Sequence, residues 1–294
     1  MSLSALYDLP APAKLNLFLH VVGRRPDGYH LLQSVFTLID WCDTLHVERR
    51  ADGKISREDL GPALPDDDLC TRAARALQAA SGVTQGAHIA IDKQVPWGAG
   101  LGGGSSDAAT TLIALNRLWG LHWPRARLLE LGLQLGADVP FFIGGQDAWV
   151  EGVGEQLTPI DLPPAAYAVL KPPVAVPTSA IFSSPLLTRN TPRTTMAVFL
   201  AQPKSFGKND LQASAEAFST QIVDGLEILK QNFGLSRMSG SGSAVFAPCD
   251  AVQQESSSES SVARIRSLAT PGSGWVARYC RSLKHHPLLD WCSG

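Results

Sequence analysis

A chain of 294 residues, 45% hydrophobic and 18% charged, is long enough for one large domain or two ordinary ones, and its composition is that of a folded globular enzyme rather than a disordered chain. The formal net charge of −2 excludes the strongly basic surface of a general nucleic-acid binder and leaves room for a local basic pocket around one anion. Five scattered cysteines without CxxC spacing, an opening MSLSALYDLPAPAK without a basic-then-apolar leader, and the lack of an apolar run near ~20 residues predict a cytoplasmic protein with free thiols, no zinc site and no membrane span, as monomer or homodimer.

The stretch KLNLFLHVV, residues 14–22, alternates strictly. Leu15, Leu17, Leu19 and Val21 fall on one face of a predicted strand, and Lys14, Asn16, Phe18 and His20 on the other. RRPDGYH is a turn built on Pro26, Asp27 and Gly28. Residues 31–39 and 43–50 read as two further strands, and ADGKISREDLGPALPDDD as a polar loop. Residues 68–81 have helical composition and period, with Gly82 where a helix stops. Residues 87–95 alternate as a strand. SSDAATTLIALNRLWG is a helix with Ser105, Ser106 and Asp107 as candidate caps, and RARLLELGLQLG is another, ended by Gly136. Prolines cluster at 157–167, where a boundary is expected between domains 1–160 and 161–294. YAVLKPPVAVPT then reads as a strand and a proline-rich turn, and GWVARYC as a late strand. The serine-rich tract at 253–261 is expected to be an exposed loop or a mobile helix edge. Strands dominate the first 50 residues and helices follow without regular βαβ alternation, so the predicted class is α+β.

PWGAGLGGGSSDAAT, residues 96–110, poses a choice. Gly98, Gly100 and Gly103 match the GxGxxG fingerprint of a dinucleotide site. That fingerprint needs a strand running straight into the glycines and an acid about 20 residues later for the ribose. Here Pro96 and Trp97 intervene, and the later position falls near His122 and Trp123. No lysine follows as a Walker loop requires. What remains is an anion cradle: bare backbone N–H groups, two serine hydroxyls, and the positive end of the following helix.

Four other segments carry chemistry. Asp138, in GADVPFF, suits a general base, and equally a helix N-cap ahead of Val139 and Pro140. Lys14 could stabilise a neighbouring carboxylate and a moving phosphoryl group, or snorkel at a sheet edge. Tyr29 and His30 follow a turn glycine and could equally be a surface aromatic and a satisfied histidine. SGSGSAVF, residues 239–246, is a second small-residue turn leading into a strand.

In their order, PAKLNLFLHV, RRPDGYHLLQSVF, PWGAGLGGGSSDAAT, LGADVPFFIGGQDAWVEGVGE and MSGSGSAVFA resemble the GHMP kinase superfamily over residues 12–247. Within it they resemble the branch acting on a cytidine-diphosphate-linked methylerythritol in isoprenoid precursor synthesis. The resemblance implies two α+β domains with the active site in the cleft between them, and transfer of the γ-phosphoryl of ATP, with Mg²⁺, to a hydroxyl of that small molecule. It implies Asp138 as base and Lys14 as its electrostatic partner. Lys93, Pro96, Gly98, Gly100, Leu101, Gly102, Gly103, Gly104, Ser105 and Ser106 would hold ATP, with Lys93 at the adenine. Asn16, Tyr29, His30, Asp138, Thr178, Phe182, Ser241 and Gly242 would hold the acceptor, Tyr29, His30 and Phe182 at its base. KND, residues 208–210, matches too, with no catalytic role assigned. No protein carboxylate besides Asp138 is expected to hold the metal, which phosphates and water would carry; Asp107 reads equally well as a candidate ligand and as a cap. A mevalonate-, homoserine- or galactose-type kinase and a non-catalytic ligand sensor on the same fold are the alternatives. The "DGYH" segment and Phe182 favour the cytidine-linked acceptor.

Overall fold

Two long strands organise the N-terminal half. β1 (Ala5–Arg24) pairs antiparallel with β2 (His30–Arg50) along nearly their whole length. The sequence pattern divides this region into shorter strands because bulges interrupt its alternation; the backbone ladder continues through them. The computed structural model describes residues 3–249, 267, 269 and 272–292, so the serine-rich tract at 253–261 lies outside the described residues.

The next elements are β3 (Ile55–Asp59), α1 (Leu69–Ser81), β4 (Gly86–Asp92), α2 (Gly103–Leu118), α3 (Arg125–Leu135), α4 (Val139–Gly144), β5 (Ala148–Glu151) and β6 (Gln156–Pro159). The far edge of β2 is shared: β5 pairs with residues 34–36 and β4 with residues 44–50. The result is a six-stranded sheet carrying α1 and α2. Asp68 caps α1 by accepting from the N–H of Cys70 and Thr71, and Gly82 ends it in the left-handed region at φ +70°.

The second half begins at β7 (Ala166–Lys171). It continues through α5 (Thr178–Ser183), α6 (Met196–Ala201), α7 (Gln212–Phe218) and α8 (Thr220–Phe233). It then adds β8 (Arg237–Met238), β9 (Val245–Cys249) and β10 (Val276–Arg281). These strands form a four-stranded antiparallel sheet in the order β10-β7-β9-β8. A buried cluster that includes Leu15, Phe18, Trp149, Tyr167 and Phe246 joins the two sheets. After β10 the chain returns to the first half. Leu283 donates its N–H to the Leu38 carbonyl at 2.9 Å, and Leu288 and Cys292 enter the N-terminal core.

One irregularity positions the chemistry. Asn16 pairs with Phe36, but Phe18 pairs with Val35, so Leu17 is an unpaired bulge residue. Strict alternation would place Lys14, Asn16, Phe18 and His20 together. The bulge instead turns Phe18 and His20 to the opposite face, where they pack with Phe206. Leu19 takes their place beside Lys14 and Asn16. Both faces of this strand are buried, one against the inter-sheet core and one against a cleft.

Candidate active site

The cleft has two joined chambers. The inner one, about 320 Å³, is lined by Lys14, Asn16, Ser34, Asp138, the glycines at 98, 100 and 102, and the turn 240–242. The outer one, about 620 Å³, holds Tyr29, His30, Thr178 and Phe182; Leu32, Val153, Thr178 and Phe182 belong to both.

At the centre of the inner chamber, the Lys14 Nζ lies 3.5 Å from Asp138 Oδ2. Lys14 is buried, donates to Asn16 Oδ1 at 2.5 Å, and lies 4.5 Å over the Phe36 ring. Asn16 in turn donates to Ser34 Oγ at 3.1 Å. The ammonium therefore has fixed acceptors on one side and the cleft on the other. Asp138 occupies the N-cap position of α4, with Pro140 just inside the helix, but its side chain makes no capping hydrogen bond. The two readings of Asp138 thus separate: its backbone starts the helix while its carboxylate faces Lys14.

The glycine loop is stitched to both halves. The Lys14 N–H donates to the Leu101 carbonyl at 2.9 Å, and the Ala244 N–H to the Ala99 carbonyl at 3.0 Å. Ser239 Oγ donates to the Gly100 carbonyl at 3.0 Å and accepts from the Asn16 N–H at 3.2 Å. Gly100 has φ +72°, and a Cβ there would lie 2.2 Å from the Ser239 carbonyl oxygen. At Gly102, φ +73°, a Cβ would meet Phe142 at 2.8 Å and the Lys14 stem at 3.1 Å. Close approach of three chain segments explains both glycines.

The expected caps of α2 are corrected. The helix begins at Gly103, its N-cap is Gly102, and no side chain caps it. Ser105, Ser106 and Asp107 lie within the helix, because the left-handed glycine already turns the chain into it. Ser106 Oγ and Asp107 Oδ1 are buried without hydrogen-bond partners. Lys93 and Pro96 do not line either chamber. The Lys93 ammonium is held beneath the loop by Asp43 and, at 2.6 Å, by Asp107. Burial opposes its charge, but the two carboxylates outweigh burial and raise its pKa. Burial also pushes the Asp107 carboxyl up, aided by Asp43 and opposed by Lys93. Asp43 Oδ1 additionally accepts from the N–H of Gln94 and Val95 at 2.6 and 2.7 Å. This ion triad ties β2, the loop entry and α2 together.

In the outer chamber the His30 and Phe182 rings are 5.2 Å apart and tilted 32°. That spacing leaves no room for a planar base between them. Phe182 and Tyr29, the latter 64% exposed at the rim, line the same chamber. Arg189 ties the wall together: Nε donates to His30 Nε2 at 3.2 Å, and one terminal nitrogen donates to the carbonyls of Phe182 and Ser184 at 3.3 and 2.9 Å. A donor at Nε2 makes His30 neutral with its proton on Nδ1. Burial, then Arg189 and Arg24, lowers the His30 pKa. Thr178 and Ser241 hydroxyls meet at 2.9 Å across the junction of the chambers.

Several contributing residues escape sequence reasoning. Asn209, within KND, donates to the carbonyls of Met238 and Gly240, each at 2.8 Å, and so fixes the second glycine turn against β1. Ser34, Asp43, Arg189 and Ser239 are as well placed. Ser239 opens the SGSGSAVF turn, whereas Ser34, Asp43 and Arg189 stand outside the glycine-rich turns and only the fold brings them in.

Residues 68–146 match the family model described as the GHMP kinases N terminal domain. A 4-diphosphocytidyl-2-C-methyl-D-erythritol kinase from Methylibium petroleiphilum is 64% identical over 291 residues, 99% of each chain. One from Paracidovorax citrulli is 54% identical over 98% of each chain. A crystal structure of 4-(cytidine 5'-diphospho)-2C-methyl-D-erythritol kinase matches with a TM-score of 0.77 at 32% identity, covering 94% of this chain and 99% of that one.

Proposed function

Since this chain belongs to the 4-diphosphocytidyl-2-C-methyl-D-erythritol kinase family of GHMP kinases, we propose that Asp138 and Lys14 carry its phosphoryl transfer and that residues 98–106 hold the phosphates of ATP. The protein is an ATP-dependent small-molecule kinase. Its reaction moves the γ-phosphoryl of ATP to a hydroxyl of 4-diphosphocytidyl-2-C-methyl-D-erythritol, in isoprenoid precursor synthesis. The relatives do not favour a mevalonate- or homoserine-type kinase or a sensor. We read residues 1–160 as the ATP side and 161–294 as the substrate side, and place the protein in the cytoplasm.

The observation that carries the assignment is the 3.5 Å Lys14–Asp138 pair, set between the glycine loop and the aromatic chamber. The acceptor hydroxyl oxygen attacks the γ-phosphorus as the bond to the β–γ bridging oxygen breaks. The hydroxyl proton passes to Asp138 Oδ, and ADP leaves. Lys14 stabilises the negative charge spread over the transferring group. The loop N–H groups and the α2 N-terminus bind the remaining phosphate oxygens. Tyr29 and Phe182 pack the faces of the cytosine, with His30 at its edge. Lys93, held by Asp43 and Asp107, keeps the loop entry in place.

Among the described residues, Asp138 is the one carboxylate lining the inner chamber, and no group of three or more His, Cys, Asp or Glu residues suited to a metal occurs. This donor set fits Mg²⁺ carried mainly by the phosphates and water of bound ATP, with Asp138 as the protein carboxylate that could assist. When bound, that ion would neutralise charge on the β- and γ-phosphates. The direct test is substrate choice. Purified protein should convert ATP to ADP with 4-diphosphocytidyl-2-C-methyl-D-erythritol and not with mevalonate; turnover of mevalonate alone would overturn the reading.

A further inference from the structure

A separate cavity of about 250 Å³ lies behind the β1 bulge, away from the cleft. Leu17, Leu162, Phe246 and four prolines give it a largely apolar wall. Three polar residues interrupt that wall, Arg237, Tyr167 and Lys204. Arg237 is only 6% exposed. Its guanidinium donates to the Leu17 carbonyl at 2.5 Å and the Lys204 carbonyl at 3.4 Å. Among the described residues no carboxylate pairs with it, and burial lowers its pKa. Two carbonyls leave most of its five N–H donors unused. Arg237 lines this cavity and also a second one, bounded by Asn209, Asp210 and Gln212. Tyr167, 5% exposed, also reaches the cavity, and its hydroxyl meets no acceptor among the described residues. Burial raises its pKa, so it stays a neutral donor.

A nearly buried cation without a counter-charge is an incomplete arrangement, because carbonyl dipoles replace only part of its lost hydration. An anion seated on Arg237 and Tyr167 would complete it, and the apolar wall would accept a compact hydrocarbon body. We propose that this cavity binds a small organic anion, a carboxylate or phosphate monoester on a compact apolar body, with its oxygens on Arg237 and Tyr167. The site also communicates with the cleft. Arg237 holds the carbonyl of the bulge residue Leu17, next to Asn16. It also stands two residues before Ser239, which bonds Asn16 and Gly100.

The test uses the full chain with benzoate and phenyl phosphate as probes and benzyl alcohol as the neutral counterpart, in the presence of ADP to occupy the phosphate loop. Ligand-observed NMR and the shift in thermal midpoint give the affinity. At least one anionic probe should bind saturably with a Kd on the order of 1 mM or tighter. Which one binds decides between carboxylate and phosphate. Leu162→Trp, which fills the cavity without touching the ionic groups, should weaken that binding roughly tenfold or more while kinase turnover is retained. Arg237→Met should weaken it at least as much; if that variant does not fold, Leu162→Trp decides alone. The proposal is overturned if neither anion saturates, if benzyl alcohol binds as well as benzoate, or if Leu162→Trp binds the probe as the parent does. Kinase turnover is read separately, so these outcomes leave the assignment of the cleft untouched.

Discussion

The inner and outer chambers are held by different means. In the inner chamber the functional groups stand on β1, on the start of α4 and on a loop bonded to both halves of the molecule. Lys14 is buried, and the backbone on either side of Gly100 is committed to a partner. In the outer chamber Tyr29 follows a surface turn and Phe182 sits on a six-residue helix. There, one arginine holds the wall together through four acceptor residues: His30, Phe182, Ser184 and Leu187. The difference follows the work that the proposed assignment gives each chamber. Phosphoryl transfer needs charges fixed before the substrate arrives, whereas a flat base can be gripped by groups that adjust.

The largest expected effect lies in the inner chamber. Asp138→Asn should lower kcat by roughly 10²–10⁴ with the KM for ATP little changed, measured under saturating acceptor. Near-normal turnover would remove Asp138 from the base role. Gly100→Ala should come next, because a Cβ would lie 2.2 Å from the Ser239 carbonyl oxygen at a φ of +72°. A loss of about 1–3 kcal/mol in denaturant unfolding is expected, with a raised KM for ATP. Full stability and an unchanged KM would show that the two glycine turns are not locked together as the hydrogen bonds indicate.

The outer chamber should respond more mildly and in a different parameter. Arg189→Met removes a charged donor to His30 and to three carbonyls. It should raise the KM for the cytidylyl acceptor roughly tenfold while kcat and the KM for ATP stay near the parent values. An equal fall in kcat would mean that the two chambers are not separable. The smallest effect is on pH. The His30 pKa is lowered from 6.5, first by burial and then by Arg189 and Arg24, so the neutral ring is the favoured form. Acceptor binding should be fully present above the ordinary value and lost as pH falls through the lowered one. Protonation at Nε2 would also evict the Arg189 N–H. In Arg189→Met this decline should move to higher pH, since one repelling charge is gone; an unshifted profile of acceptor KM would break the link between Arg189 and His30.

Much of this was legible in the residues. The helix over 68–81 agrees with α1 to within one residue, because Asp68 and Gly82 are capping residues whose chemistry is local. The glycine density of 98–104 marked a loop whose backbone lies close to its neighbours, and Pro96 and Trp97 argued against the dinucleotide reading. Lys14 and Asp138 entered through resemblance, and their meeting at 3.5 Å across a separation of 124 residues is a matter of packing. Alternation placed Phe18 and His20 beside Lys14. The bulge at Leu17 reversed them, and a bulge is set by the partner strand rather than by the strand's own sequence. The caps expected in Ser105, Ser106 and Asp107 failed for a similar reason, since Gly102 makes the turn and Asp107 is drawn inward to Lys93.

The sequence by itself determined the α+β class, the glycine loop, the ends of α1 and, through its ordered motifs, the kinase family. Each depends on neighbours in the chain or on short signatures that survive without a partner. Only the tertiary structure decided which face of β1 meets the cleft and that Arg189 fixes the His30 tautomer. It also decided that Asn209 anchors the second glycine turn and that Arg237 opens into a cavity behind the bulge. Those facts rest on residues far apart in the chain, whose charges and hydrogen bonds acquire their partners only when the two sheets pack.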